Sequence, residues 1–151
     1  MSHGTFIAHY TRKGLAALDF PNTGTPAGRR IDPSVRNWHR LTVSALKHSL
    51  DGKRPKELPP LDLSEGTEFQ QQVWAAMRKI RLSETKSYGA IAEAVGNPKA
   101  VRAVGGACGA NPIPVLIPCH RVLAAQGKLG GFSGGLDWKR KLLAIEGVEF
   151  R

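Results

Sequence analysis

The stretch Ile117-Pro118-Cys119-His120-Arg121-Val122 sets a thiol, an imidazole and a guanidinium side by side after an apolar run. Cysteine reacts as its thiolate, and adjacent cationic or hydrogen-bonding groups lower its usual titration point of about 8.5. Cys119 is therefore a candidate nucleophile, with His120 and Arg121 as groups able to activate it. The competing reading is a buried, inert cysteine that packs as a small hydrophobe, the commoner fate of a free thiol. Spacing alone does not separate the two. Cys108, the one other cysteine, stands eleven positions earlier. A stabilising disulfide is not expected with a candidate nucleophile as one partner, and a reducing compartment fits. Two cysteines and His120 lack the paired spacing of a zinc site, so neither a metal nor a cofactor is expected.

Glu146 is a second candidate. Asp137 can cap a helix that carries Trp138, Leu142 and Ile145 on one face, and Gly147 can end it. Glu146 then falls in the last turn, where a carboxylate opposes the helix dipole by about 0.3 to 1 kcal/mol. Such a placement calls for a compensating partner; a solvated glutamate at a frayed end is the alternative.

The elements that position these groups are readable along the chain. Phe6-Ile7-Ala8-His9-Tyr10 and Leu15-Ala16-Ala17-Leu18-Asp19-Phe20 flank Arg12-Lys13-Gly14 and read as a hairpin. Asp32-Pro33 supplies an N-cap and a first-turn proline for a helix whose apolar face is Trp38, Leu41, Ala45 and Leu46, ending at Asp51-Gly52. Residues 53–60 contain three prolines and read as a linker. Thr67-Glu68-Phe69-Gln70 is a capping box ahead of Val73, Ala76, Met77 and Ile80 at helical spacing. Tyr88, Ile91, Ala92 and Val95 form another apolar stripe that Gly96 stops, and Asn97-Pro98 is expected to start the next helix at once. Two helices joined so tightly form a helix-turn-helix. On the second, Val101, Val104 and Cys108 are expected to face inward, with Lys99, Arg102, Ala103 and Gly106 outward. Gly105 and Gly106 each cost about 1 kcal/mol relative to alanine inside a helix. Their presence suggests close approach by a DNA groove or by a neighbouring protein helix.

The chain has 151 residues, with 22 Lys and Arg against 12 Asp and Glu, a net charge of +10. A polyanionic partner is the natural inference, although charge alone does not say which half meets it. No apolar run approaches the roughly 20 residues that span a bilayer, and no signal-peptide core is evident. A cytoplasmic protein without membrane association is expected.

With Asn111-Pro112-Ile113-Pro114 ahead and Gly130-Gly131-Phe132-Ser133-Gly134-Gly135 behind, the cysteine segment closely resembles the active-site region of the O6-alkylguanine-DNA alkyltransferases. These are also called methylated-DNA–protein-cysteine methyltransferases. The resemblance runs through residues 66–147 and is weak before them. It implies an α/β protein: a shortened, ribonuclease H-like α/β scaffold over residues 1–63, packed on a mainly helical domain over 64–151 that carries the helix-turn-helix. The implied activity is single-turnover DNA repair, in which Cys119 keeps the alkyl group taken from O6-alkylguanine, or O4-alkylthymine, in duplex DNA. His120 would accept the thiol proton through a water, and Glu146 would orient the imidazole. Tyr88 would donate to guanine N3, and the Ser133 region to O6. Asn111 would tie the turn before the active-site segment, while Pro114, Val122, Phe132 and Gly134 would wall the pocket. The second helix would lie in the minor groove, Arg102 entering the stack as the target base flips out, with Lys99, Ala103 and Gly106 on the same face. Thr85, Ser87 and Arg121 would complete the DNA contacts of a monomer.

The sequence departs from the family pattern where Arg81 replaces a usual proline, Glu84 a usual glycine and Phe132 a frequent tyrosine. The first two bear on phosphate contacts near residues 85–88, and the third on selectivity among alkyl groups. Two other classes compete. An alkyltransferase-like lesion binder typically lacks the cysteine. A helix-turn-helix regulator would bind the major groove and leaves Glu146 and the glycine loop unexplained.

Overall fold

The computed structural model describes residues 4–21, 33–130 and 135–150. The N-cap expected at Asp32 and the pocket residues expected at Phe132, Ser133 and Gly134 lie outside them. Strands β1 (Ile7–Tyr10) and β2 (Leu15–Asp19) pair antiparallel, with Ile7 opposite Asp19. The end of the proline-rich stretch is tied to β2: Leu15 N–H donates to Pro60 O and Asp62 N–H to Leu15 O, each at 2.8 Å. Gly14 permits the approach, because a Cβ there would lie 2.2 Å from Pro60 O. At the hairpin's inner edge, Leu18 N–H donates to Pro112 O at 2.8 Å, which ties β2 to the segment leading into the Cys119 region.

Helix α1 (Pro33–Leu50) buries Leu41, Ala45, Leu46 and Leu50. Helix α2 (Glu68–Arg78) begins with both halves of the capping box: Gln70 N–H donates to Thr67 Oγ1, and Thr67 N–H to Gln70 Oε1. It buries Val73, Trp74 and Met77, and Trp74 Nε1 donates to Ala107 O at 2.8 Å. That bond pins α4 (Val101–Gly109) across it. Short strands β3 (Lys86–Ser87) and β4 (Val122–Leu123) pair in parallel, so the start of α3 (Tyr88–Ala94) stands beside the residues that follow Cys119.

Helices α3 and α4 form the expected helix-turn-helix, but α4 starts later than the sequence suggests. Gly96 (φ +79°) closes α3, with Gly96 N–H donating to Glu93 O and Asn97 N–H to Ala92 O. This is a Schellman end in which Asn97 belongs to the helix it terminates. Residues 97–100 then make one turn, and Ala100 rather than Asn97 is the N-cap. Val104 and Cys108 are buried as expected, whereas Val101, now the first helical residue, is 41% exposed. Helix α5 (Leu136–Ile145) also differs at its start: Gly135 is the N-cap, and Asp137 sits in the first turn, paired with Arg140 at 3.2 Å. Its end repeats the Schellman pattern, with Gly147 at φ +72° and Val148 N–H donating to Leu143 O.

One buried apolar cluster joins Leu15, Leu18 and Phe20 of the hairpin to Ala45, Met77, Val104, Ile117 and Leu142. The fold is mixed α/β, with a hairpin and helix packed on a mainly helical remainder. No helix among the described residues is long and apolar enough to cross a membrane.

Candidate active site

Cys119 opens a single 3₁₀ turn (Cys119–Arg121) and is 3% exposed. The bend delivering it is held by Asn111, whose Nδ2 donates to Ile117 O at 2.8 Å while its Oδ1 accepts from Ile113 N–H at 3.0 Å. Inside that bend Val115 has φ +74°. A β-branched residue in the left-handed region costs on the order of 1 to 3 kcal/mol, and the fixed turn around it must enforce that geometry.

His120 is 1% exposed, and its Nε2–H donates to Glu146 Oε2 at 2.7 Å. Arg121 grips the same carboxylate twice, through Nε to Oε1 at 2.8 Å and Nη2 to Oε2 at 3.0 Å, and its Nη1 donates to Ile80 O at 2.8 Å. Ser83 holds the end of α5 as well, donating from Oγ to Glu146 O at 2.6 Å. Ser83 itself has φ +68°, so the left-handed turn position lies there and not at Glu84. The part-buried guanidinium of Arg121 is thus held by Glu146 and Ile80 O.

Burial sets the protonation states. It pushes the Cys119 thiol up to about 11, although the Asn111 amide, the Lys139 ammonium and local backbone N–H groups pull the other way. The resting residue is therefore a protonated thiol, whose activation requires a group that takes the proton. Burial lowers His120 below the usual imidazole range more than Glu146 raises it, while Arg121 is bound to Glu146. Burial raises Glu146 too, but hydrogen bonds from His120 and Arg121 outweigh it and bring the carboxyl to about 2. The result is a neutral imidazole whose Nε2 proton is held by a carboxylate. Its Nδ1 is buried and has no hydrogen-bond partner among the described residues. A lone pair so placed is a base that can receive the thiol proton. Cys108 is pushed further, to about 12, so Cys119 is the more acidic of the two thiols.

Tyr88 is half-buried, and burial followed by the two nearby thiols raises its hydroxyl above the usual phenol range. Its Oη would lie 2.9 Å from a Cβ at Gly130, so a glycine at φ +68° lets the backbone there approach the phenol. Pro114 and Val122 are buried, while Ser87 is exposed and caps α3 by accepting from Ala90 N–H. Thr85 is partly exposed. Lys99, Arg102, Ala103 and Gly106 are all exposed on or just before α4. A Cβ at Gly105 or Gly106 would meet nothing within 4 Å, so these glycines serve no packing within the chain.

Sequence reasoning missed Lys139 and Ser83. Lys139 is fully buried in α5, its Nζ donating to Val122 O at 2.8 Å and lying 5.9 Å from the Tyr88 ring centre. The signal was present, since Lys139 shares a helical face with Leu142, Leu143 and Glu146, and a cation on an apolar stripe needs a reason.

Acid should destabilise the protein progressively. The depressed His120 stabilises the fold fully above about pH 6.5, its ordinary range, and loses that contribution as pH falls below it. Glu146, depressed from 4.5 to about 2, contributes on the order of 3 kcal/mol above pH 4.5, lost between there and 2. Urea midpoints should decline as pH falls below about 6.5 and further below 4.5. A midpoint unchanged down to pH 4 would contradict this assignment of charge.

Fold and site together define a helix-turn-helix protein built around a buried thiol beside a neutral, carboxylate-held imidazole. The chain belongs to the 6-O-methylguanine DNA methyltransferase family, whose DNA binding domain matches residues 68–148. A methylated-DNA–protein-cysteine methyltransferase of Methanosarcina acetivorans is 57% identical over 83 residues, which cover 55% of this chain and 53% of the relative. One from Mycobacterium leprae is 51% identical over 104 residues, covering 69% and 62%. The matched stretch thus spans about half the length of the first of these relatives. Among solved structures, Mycobacterium tuberculosis OGT in complex with DNA superposes with a TM-score of 0.77 at 36% identity, over 93% of this chain and 91% of that one.

Proposed function

We propose that this protein repairs DNA by moving the alkyl group of O6-alkylguanine, or of O4-alkylthymine, irreversibly onto Cys119. The observation that carries the reading is the buried His120–Glu146 hydrogen bond beside a nucleophile whose proton must be removed. His120 Nδ1 takes the thiol proton, through a water. The thiolate attacks the alkyl carbon in line, an S–C bond forms as the C–O6 bond breaks, and guanine leaves with the electron pair. Tyr88 stabilises the departing base by donating to N3. Its raised titration keeps the phenol protonated until that charge develops. The thioether is stable, so each molecule acts once.

O6 of guanine is inside the duplex, so the base must be flipped out for the thiol to reach it. The bare face at Ala103, Gly105 and Gly106 suits close approach to a minor groove, and Arg102 beside it fills the emptied stack. The DNA-bound state of the M. tuberculosis neighbour supports duplex DNA as partner. Residues 1–63 act as scaffold and residues 64–151 carry binding and chemistry, in a cytoplasmic monomer. A lesion binder that transfers nothing has no use for the relay behind Cys119, and a major-groove regulator would need bulk on the α4 face.

The test is a titration of excess O6-methylguanine duplex against fixed protein. Repaired lesions should plateau at one per molecule. Continued turnover, or no repair at all, would overturn the reading.

A further inference from the structure

A basic cleft of about 760 Å³ lies between the proline-rich segment, the end of α2 and the bend leading into the active site. Arg54, Lys56, Arg78, Lys79 and Arg81 line it, with Arg121 in its wall and Glu57 as its one carboxylate. None of the first five pairs with a carboxylate among the described residues, and all five are exposed. Arg81, a departure from the family pattern, therefore adds its charge here. No lining residue comes from α3 or α4. The cleft is thus separate from the face proposed to meet the damaged duplex.

Like charges gathered in a concave surface focus the field and attract a polyanion. Arginine supplies three of the five unpaired cations, and its planar fork suits phosphate oxygens. The lining contains no aromatic residue, whereas a protein partner usually anchors through one. We infer that this cleft binds the phosphodiester backbone of a second DNA segment, so that one molecule holds two duplexes while searching for damage. The inference rests on the DNA-repair reading above and extends it.

The experiment mixes donor-labelled and acceptor-labelled duplexes with the full-length protein and reads energy transfer between them. Binding of a single duplex at limiting protein and alkyl transfer are measured in parallel. Wild type should bridge the duplexes. The double variant Arg54→Glu, Arg78→Glu should lose bridging at least about tenfold yet keep single-duplex binding within about threefold, since each lost phosphate contact weakens only its own site. Lys56→Glu with Lys79→Glu should behave alike, which guards against a folding defect in the first pair. Undiminished bridging in both variants, or no bridging by a wild type that binds one duplex and transfers alkyl groups, overturns the second site alone. Binding of a labelled polyglutamate peptide without bridging overturns it in favour of an acidic protein segment. Failure of all DNA binding and transfer overturns both readings.

Discussion

Cys119→Ser is expected to eliminate alkyl transfer, by on the order of 10⁴-fold or more, while duplex binding stays near that of the wild type. The relay would remain, since His120, Glu146 and Arg121 bond one another and not the thiol. What disappears is a nucleophile that a neutral imidazole can deprotonate: the thiol stands near 11 in this site, and a hydroxyl there is several units weaker as an acid. Cys108 cannot substitute. Its thiol is pushed to about 12, and its sulfur lies 3.5 Å from Met77 Sδ in the core. Transfer is read by labelled methyl uptake, and binding by anisotropy. Substantial uptake by the serine variant would remove Cys119 from the acceptor role.

Arg102→Ala should separate flipping from chemistry. If Arg102 fills the stack as proposed, it offsets a few kcal/mol of unpairing and unstacking, and its loss should slow repair of duplex DNA by roughly 30- to 150-fold. Free O6-benzylguanine needs no flipping, and its rate should change by less than about threefold. Arg102 is exposed on α4 and makes no ion pair among the described residues, so truncation should leave the fold intact. Equal losses with both substrates, in a variant folded by circular dichroism, would assign Arg102 to pocket architecture instead.

What the sequence made legible was local. The Thr67–Gln70 capping box and the stop at Gly96 depend on residues within a few positions, and both form as read. Glu146 was legible for a different reason: its unfavourable place at a helix end demanded a partner, and His120 is there at 2.7 Å. The start of α4 was misread because Asn97-Pro98 fits a helix start by type, while its N–H is taken by Ala92 O in closing α3. The bonds of Arg121 were not legible because its partners, Glu146 and Ile80 O, come from elements distant in the chain. The resting protonation of the thiol was not legible for the same reason: burial sets it, and burial belongs to the fold.

The central claim is that Cys119 ends the reaction carrying the alkyl group. Intact-protein mass after incubation with O6-methylguanine duplex, followed by peptide mapping, tests it most directly. The account predicts one added methyl, about 14 Da, on every active molecule and on the peptide bearing Cys119, as expected for a nucleophile that is not regenerated. An unchanged mass accompanied by loss of the lesion, or a methyl group mapped to Cys108, would contradict it.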